Sequence, residues 1–407
     1  MSVSRQRVGV VLCGALLCAA LTPTAALAAA AKPSLSAPAA NLVTMDGQQL
    51  WSHNRETRRR VASTIKMLNA LVVRERASLD DTVTVSAKAA RTADGVGLVK
   101  GQKLTVRKLL QMMLVASAND AAEALAIHIA GSEKKYVVLM NAKAKQLGLK
   151  DTHAIDPHGL SKREHSTARD LSVLARKVMD DPVLRRTVLL RKVVLYRPHH
   201  KPKTLVATDK LLGVYRGIEG VKTGFTNPAG YCFVSAAKRG NLELVSVVLG
   251  AGSLSGRFSQ SRKLLDWGFA RYRMRRIVSA STTMGVVQVS GGVTSSVTFH
   301  AARETSRAVI AAGPAVVSTV VMPETIPAPI KLGEQLGVVR VSQGGTVLAS
   351  VALLADSSVA TVSVPATVTT APGASRMQSA DTPQASTLWE RLGGLPRRML
   401  VALASTL

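Results

Sequence analysis

The chain is poor in acidic residues, aromatic residues and cysteine, and each shortage restricts what the protein can be. Only 25 Asp and Glu residues oppose 53 Lys and Arg residues, so the formal net charge is +28 at pH 7. Aromatic residues make up 3% of the 407 residues, but hydrophobic residues reach 47%, which excludes a chain that is disordered throughout. Long apolar runs are scarce as well, which excludes a membrane protein with several spans. The length predicts at least two domains.

The single long apolar run, at the N-terminus, has the layout of a secretory signal peptide over residues 1–28. Arg5 and Arg7 precede the run, and Ala26-Leu27-Ala28 supplies the small residues of a cleavage site. A retained membrane anchor is the alternative, although the run is short for a bilayer span. Export predicts an extracytoplasmic protein, in the cell wall or at the outer face of the membrane.

An exported protein does not meet nucleic acid, so the excess of positive charge needs another explanation. The polyanions outside a cell are membrane phospholipids and anionic wall polymers. Basic groups such as Arg58–Arg60 are therefore expected to face one of these, or simply to form a solvated basic surface.

Removal of residues 1–28 takes away Cys13 and Cys18, so Cys232 remains alone and forms no internal disulfide. It lies in the apolar stretch Tyr231–Val234, which predicts a buried strand with a packed thiol.

Residues 36–276 alternate strand and helix patterns, which predicts an α+β domain with helices packed on a sheet. The predicted elements are a hairpin over Leu42–Trp51, helices from Ser63, over Val106–Val115, from Asp120 to Gly131 and over Gly256–Arg273, and strands over Tyr231–Ala237 and Leu242–Leu249. Asp120 with Glu123, and Asp170 on its own, are predicted to cap helices.

The rest of the chain changes character past residue 276. Short β-branched runs interrupted by Gly and Pro predict a small all-β domain over residues 278–365. Residues 366–387 are rich in Pro, Ser, Thr and Ala, which predicts a linker. Over residues 388–407, leucines and arginines separate onto two faces, which predicts an amphipathic helix at a membrane surface, although Gly393-Gly394 and Pro396 weaken it.

Ser63 and Lys66 form a Ser-x-x-Lys pair at the start of a predicted helix. Their spacing places both side chains on one face, where a neutral lysine can take the proton of the serine. That requires the lysine pKa to fall below its usual value of about 10.4, through burial or a nearby cation. The same spacing recurs at Ser132 and Lys135, where a plain helix cap is expected.

Two further motifs carry polar groups that suit a peptide substrate. Ser117 and Asn119 lie in a short connection between two predicted helices. Lys222-Thr223-Gly224 lies at a strand end, where it offers a fixed cation and a hydroxyl to a carboxylate, and a glycine that lets a substrate approach the backbone. His158 and His165 match no common zinc spacing and are expected to be structural. Neither a metal nor a cofactor is predicted.

Ser-x-x-Lys, Ser-x-Asn and Lys-Thr-Gly, in this order, are the signature of penicillin-binding proteins and serine β-lactamases. Over Leu42–Tyr272 the chain resembles the D-alanyl-D-alanine carboxypeptidases, which are low-molecular-mass penicillin-binding proteins of serine peptidase family S11. The resemblance implies a β-lactamase/transpeptidase-like α+β domain, with an antiparallel sheet and helices on both faces, followed by a small all-β domain.

The resemblance also implies the role of each site residue. Ser63 is the implied nucleophile and Lys66 its general base, with Ser117 relaying a proton and Asn119 orienting Lys66 and binding the substrate amide. Lys222 and Thr223 are the implied carboxylate site, followed by Gly224, and the N–H groups of Ser63 and Phe225 form the implied oxyanion hole. The implied reaction removes the terminal D-alanine from peptidoglycan stem pentapeptides, and the implied inhibitors are β-lactam antibiotics.

Two alternatives remain open at this stage. A class A β-lactamase deacylates with a glutamate and an asparagine, and the candidate Glu164 here has Ala168 where that asparagine is needed. A binding protein of the same fold would recognise wall peptides without cleaving them, but it has no use for Lys66. The chain also carries Asp209 near its third motif, a negative charge where the substrate is expected to place a carboxylate.

Overall fold

The computed structural model describes residues 32–197, 200–363 and 401–403. The predicted signal peptide and linker lie outside these residues. In the predicted tail helix, the structure describes only Val401–Leu403, which forms a strand and not a helix. The remainder of that tail also lies outside the described residues. No helix in the described part is long and apolar enough to cross a membrane.

The described elements follow the alternation that the sequence predicts. The helices are α1 (Lys66–Arg76), α2 (Ala87–Ala90), α3 (Val106–Val115), α4 (Asn119–Ala130), α5 (Glu133–Gln146), α6 (Ala168–Asp180), α7 (Pro182–Val188) and α8 (Leu254–Arg271). The strands of the first domain are β1 (Ala39–Thr44), β2 (Gln49–His53), β3 (Thr82–Thr84), β4 (Lys103–Thr105), β5 (Lys192–Arg197), β6 (His200–Val206), β7 (Ile218–Thr226), β8 (Gly230–Arg239) and β9 (Leu242–Ala251). Those that follow are β10 (Tyr272–Val278), β11 (Thr283–Ser290), β12 (Ser296–Ala301), β13 (Thr305–Ile310), β14 (Val316–Val321), β15 (Thr325–Pro327), β16 (Gln335–Gln343), β17 (Thr346–Ala355) and β18 (Val401–Leu403).

A five-stranded antiparallel sheet of order β2-β1-β9-β8-β7 forms the centre of the first domain. Neighbouring side chains of a strand point to opposite faces. Asn41 donates to Ser172 of α6, whereas the next residue, Leu42, packs beside Gly268 of α8. The sheet is therefore covered by helices on both faces, which confirms the predicted fold class. Strand β7 lies at its edge.

Helix α1 runs through the core and contacts α3, α4, α5 and α6. Met67 and Leu68, which follow Lys66, are completely buried. A helix that is surrounded in this way carries its first residue inside as well, and the Lys66 side chain is buried. The core is mostly aliphatic, as the shortage of aromatic residues requires.

The predicted caps at Asp120 and Asp170 are wrong. The Asp120 carboxylate accepts hydrogen bonds from the backbone N–H groups of residues 96–98, and no side chain caps α4. The Asp170 carboxylate accepts from Asp151 and Thr152, whereas the hydroxyl of Thr167 caps α6. Both aspartates fix distant loops against helix N-termini, which local capping rules do not anticipate.

The second domain is built on a seven-stranded sheet of order β15-β11-β12-β17-β16-β14-β18, so the predicted all-β domain is confirmed. It has a hydrophobic core of its own, which extends from Val278 to Val359. Strand β10 leads out of the first domain and pairs with β13, and Ala308 of β13 packs into the first core. The Gln48 side chain bonds both backbone groups of Ala308, at 2.8 and 2.9 Å.

Candidate active site

The three sequence motifs meet at one place, although they are distant along the chain. Ser63 lies in a 3-10 turn over Ala62–Ile65, directly before Lys66 opens α1. The Lys66 ammonium is 2.8 Å from Ser63 Oγ and 3.5 Å from Ser117 Oγ, and it also donates to Asn119 Oδ1. On the other side of Ser117, Lys222 Nζ lies 2.9 Å from the same hydroxyl. The structure therefore brings together all five of these predicted residues.

The backbone is strained next to two of these side chains. Ala62 has φ +48° and Ser117 has φ +61°, a left-handed conformation that costs a non-glycine residue about 1–3 kcal/mol. Ala62 opens the 3-10 turn that holds Ser63, and half-buried Ser117 lies in the connection between α3 and α4. Such strain persists only where the surrounding contacts enforce it, as they do around a functional site.

Burial lowers the pKa of Lys66 from its ordinary value to about 7. The carboxylates of Asp156, Glu164, Asp120 and Asp94 act in the opposite direction, but they offset only part of this effect. Lys66 is thus neutral in a large fraction of molecules at neutral pH. A neutral amine at hydrogen-bond distance from a hydroxyl is able to act as a general base.

The pKa of Lys222 is also well below the ordinary value for lysine. Burial is the main cause, and the positive charges of Lys66 and Arg257 add to it, while Asp209 acts in the opposite direction. Lys66 and Lys222 both donate to the Ser117 hydroxyl, so a charge on one disfavours a charge on the other. The pKa of Lys222 therefore falls further when Lys66 is charged.

The residues after Lys222 form one wall of the site. The Thr223 hydroxyl donates to Thr208 Oγ1 at 2.6 Å. Gly224 packs so closely that an added Cβ would lie 2.8 Å from the carbonyl oxygen of Val61 and 3.1 Å from the Ser63 nitrogen. Phe225 is 45% exposed and stacks on Tyr231, with ring centroids 4.2 Å apart.

A loop over residues 156–161, to which the sequence analysis assigns no role, lies directly against the nucleophile turn. Ser63 Oγ donates to the carbonyl oxygen of His158 at 3.3 Å. Gly159 has φ +94°, and an added Cβ would lie 2.3 Å from the Ala62 carbonyl oxygen. Asp156 accepts backbone hydrogen bonds from residues 158–161 and therefore shapes the loop. The sequence signal for this loop was the stretch Asp-Pro-His-Gly-Leu over residues 156–160.

Both histidines lie close to a local acceptor, as a structural role predicts, and within the described residues neither contacts the motif residues through its ring. His158 Nδ1 lies 2.9 Å from Asp156 Oδ1. His165 Nδ1 lies 3.2 Å from the carbonyl oxygen of Arg163.

Arg257 was missed by sequence reasoning. This residue of α8 donates to the carbonyl oxygen of Gly224 at 3.1 Å, and its guanidinium lies over the rings of Tyr231 and Phe258. Burial raises the pKa of Asp209 to about 6, and the charges of Arg257 and Lys222 counteract part of this rise. Asp209 is therefore mostly ionised at neutral pH and lies among cations.

Glu164, the candidate deacylating residue of the β-lactamase alternative, is buried. Burial raises the pKa of its carboxyl well above the ordinary range, and the neighbouring charge of Asp156 adds to the effect. Ala168, which stands where the partner asparagine is needed, opens α6.

The fold and the site together define a serine hydrolase of the penicillin-binding type. A family model described as D-alanyl-D-alanine carboxypeptidase matches residues 26–253, and one for the penicillin-binding protein 5 C-terminal domain matches residues 272–361. The chain therefore belongs to the D-alanyl-D-alanine carboxypeptidase family and is a serine-type carboxypeptidase.

Individual relatives resemble the chain over most of its length. It is 32% identical over 323 residues to the D-alanyl-D-alanine carboxypeptidase DacF of Bacillus subtilis, an alignment that covers 77% of this chain and 83% of DacF. The solved structure of penicillin-binding protein 5 from Haemophilus influenzae matches with a TM-score of 0.72 and 27% identity, covering 81% of this chain and 99% of that one. The structure of DacD from Francisella tularensis matches with a TM-score of 0.71 and 26% identity, covering 82% of this chain and 95% of that one.

Proposed function

We propose that the protein removes the C-terminal D-alanine from peptidoglycan stem pentapeptides through an acyl-enzyme on Ser63. The observation that carries this proposal is the 2.8 Å contact between Ser63 Oγ and the side-chain nitrogen of Lys66, an amine with a pKa of about 7. Lys66 takes the proton of Ser63 as its oxygen attacks the carbonyl between the two D-alanines. The released group is free D-alanine, and water then hydrolyses the ester on Ser63.

Lys222 and Thr223 hold the terminal carboxylate of the substrate in this proposal. An arriving carboxylate raises the pKa of Lys222, because it stabilises the charged ammonium. With substrate bound, Lys222 is then the charged lysine, and Lys66 is the neutral one that is ready to act as a base. Ser117, which both lysines contact, relays a proton to the leaving amine.

Two backbone N–H groups, of Ser63 and Phe225, stabilise the negative charge that develops on the attacked carbonyl oxygen. The close approach of Gly224 to the Ser63 nitrogen supports this assignment, because it places the backbone of the Ser63 turn beside the backbone of β7. Loss of one such donor typically raises the barrier by about 3 kcal/mol. Asn119, which contacts Lys66, orients that lysine and binds the substrate amide.

The proposal includes an extracytoplasmic location. Residues 1–28 direct export, and the substrate lies in the cell wall. β-Lactam antibiotics acylate Ser63 as substrate analogues. Residues 366–387 act as a linker. The tail that follows contacts an anionic membrane or wall polymer through its arginines. Nucleic acid is not a partner.

The alanine at residue 168, where the partner asparagine is needed, argues against a class A-like β-lactamase. A non-catalytic binder of wall peptides is disfavoured by the buried Lys66, because a buried amine that touches a serine is costly and serves no purpose in binding.

Mass spectrometry after exposure to benzylpenicillin tests the proposal. We expect a stable mass increase of one penicilloyl group on the wild type and none on Ser63→Ala. The second Ser-x-x-Lys provides a matched control, because Ser132 caps α5 and Ser132→Gly should be acylated as the wild type is. The same proteins are then given a peptide ending in D-Ala-D-Ala. Failure of the folded wild type to release D-alanine would refute the function, and rapid loss of the adduct would favour the β-lactamase.

A further inference from the structure

A basic cleft of about 350 Å³ lies beside the candidate active site. We use the name basic cleft for the space between two segments and one turn, lined by Arg58, Arg59, Arg60, Lys162, Arg163, Glu164, His165 and Pro228. The two segments are about a hundred residues apart in sequence, so their cations are brought together by the fold. A merely solvated basic surface does not require cations from separate segments to converge.

The walls of the basic cleft are fixed by hydrogen bonds. Arg59 and Ser166 exchange backbone hydrogen bonds of 2.8 and 3.0 Å, which join the two segments. The Arg60 side chain donates to the carbonyl oxygen of Lys162 at 2.7 Å. Arg58 is held by an ion pair with Asp151 at 2.7 Å. The cleft is therefore a formed feature, in which the backbone of the two segments and the side chains of Arg58 and Arg60 are held in place.

The positive charge of the basic cleft is largely uncompensated. Within the part of the chain that the structure describes, Arg59, Arg60, Lys162 and Arg163 take part in no ion pair. Arg60, Lys162 and Arg163 are exposed. The one acidic lining residue is Glu164, and burial raises the pKa of its carboxyl well above the ordinary range. An anionic group that enters the cleft therefore meets an excess of cations.

The position of the basic cleft relative to Ser63 indicates which part of a substrate reaches it. Gly224 lies close to the backbone of Val61 and Ser63. Two segments lead from this point to the cleft: one runs back from Val61 to Arg60, and the other runs forward from Gly224 to Pro228. Arg60 precedes Ser63 by three residues, a span of at most about 11 Å.

Strand β7 leads from Lys222 past Phe225 to Thr226, two residues before Pro228, which lines the basic cleft. With the substrate carboxylate at Lys222 and the scissile carbonyl at Ser63, an acyl side that follows β7 in this direction approaches the cleft. The acyl side is the part that stays attached to Ser63 after D-alanine leaves.

We propose that the basic cleft is a substrate subsite for an acidic group, a carboxylate on the acyl side of the scissile bond. The proposal rests on the proposed function, because it uses the same direction of substrate binding. The subsite contributes specificity among peptides that share the same D-Ala-D-Ala end. Lys162 and Arg163 bind the carboxylate, and Arg60 helps to position the Lys162 segment.

Two synthetic peptides test this subsite. Both end in D-Ala-D-Ala and differ only in the residue directly before this pair. That residue is glutamate in one peptide and glutamine, which has the same shape but no charge, in the other. We expect kcat/KM of the wild type to be about fivefold higher for the glutamate peptide, since partly exposed ion pairs are modest individually but several cations act together. In the double variant Lys162→Gln/Arg163→Gln the ratio should fall to about one.

The control is Lys145→Gln/Lys150→Gln, which removes two exposed lysines from a separate surface cleft. This variant loses the same charge and should keep the fivefold ratio. Equal kcat/KM values for the two peptides in the wild type would overturn the subsite. If soluble polyphosphate inhibits the wild type while both peptides are cleaved equally, the cleft binds a phosphate polymer and the proposal is also wrong.

Binding of the two peptides to Ser63→Ala separates this proposal from the proposed function. Titration calorimetry measures the affinity of each peptide without turnover. Preference of Ser63→Ala for glutamate, with no D-alanine release by the wild type, would retain the subsite and reject the reaction. Release from both peptides without any preference, in either rate or affinity, would reject the subsite and retain the reaction.

Discussion

Lys66 is a buried amine whose pKa of about 7 lies within the range where enzymes are assayed. Below pH 7 it is mostly protonated and has no free electron pair for the Ser63 proton. Above pH 7 it is mostly neutral. The acylation rate should therefore rise with pH through the pKa of this side chain and level off above it.

We expect the second-order rate constant for acylation by benzylpenicillin to rise about 30-fold between pH 5.5 and 8.5, following the neutral fraction of a group with pKa near 7. Stopped-flow or quenched mass spectrometry measures it. Asp209, with a pKa of about 6, titrates in the same interval, so Asp209→Asn is the control and should retain the rise. A flat profile in both proteins would contradict the assignment of Lys66 as the base.

Lys222 is assigned to the terminal carboxylate, and this role predicts a selective defect. Lys222→Ala should lower kcat/KM for a peptide with a free D-alanine carboxylate far more than for its C-terminal amide, which offers no charge to the ammonium. Loss of a charge-assisted contact corresponds to about tenfold or more. D-Alanine or D-alanine amide release measures the two rates. Equal losses on both peptides would show that Lys222 acts only through Ser117 and Lys66.

At the residue scale, the motif residues were predictable and several of their partners were not. Ser63 and Lys66 are three residues apart, so helix geometry alone places them together. Arg257 reaches Gly224 from a helix 33 residues further along the chain, and nothing in its local sequence indicates that contact. Asp120 shows the same limit, because a local rule predicted a cap and the tertiary structure used its carboxylate to hold a loop.

At the element scale, the loop with Gly159 supports the turn that carries Ser63. Gly159→Ala should lower the acylation rate more than tenfold, because the added methyl group meets the Ala62 carbonyl carbon at 2.4 Å and displaces the nucleophile turn. Gly148→Ala is the matched control, since Gly148 has a similar positive φ of +69° and nothing within 4 Å of an added Cβ. Reaction with labelled penicillin measures both variants.

Backbone strain alone should lower the free energy of unfolding of the two glycine variants by similar amounts. Only Gly159→Ala should also react more slowly with penicillin. If both variants react with penicillin at the wild-type rate, the loop does not hold Ser63 in place.

Elements with a strong local signal were predicted well, and those that depend on a distant partner were not. Helix α3 has the predicted bounds, because its apolar stripe and its Thr105 cap are both local features. The last predicted helix extended to Arg273, but α8 ends at Arg271 and β10 begins at Tyr272. The strand forms there because β13, more than thirty residues later, supplies its hydrogen-bond partners.

At the scale of the whole molecule, the two domains are joined by the packing of Ala308 into the first core and by polar contacts beside it. Gln48 bonds Ala308, and Asp46 pairs with Arg307 at 2.9 Å. The double variant Gln48→Ala/Arg307→Ala should uncouple the domains. Differential scanning calorimetry should then show two transitions that are further apart than in the wild type.

The acylation rate of this double variant should not change, because none of these residues contacts the three motifs. Unchanged calorimetric transitions would show that the pairing of β10 with β13 is sufficient to couple the domains.

Cys232 lies on β8 directly opposite Gly224 of the edge strand β7, and burial raises the pKa of its thiol to about 11. A protein expressed without residues 1–28 therefore carries one sulfhydryl, hidden beneath the strand that is proposed to bind substrate. Thiol reagents can reach it only when that part of the sheet opens. The rate at which a thiol reagent modifies Cys232 therefore reports how often this part of the sheet opens, and no cysteine has to be introduced for the measurement. An antibiotic bound along β7 should lower this rate.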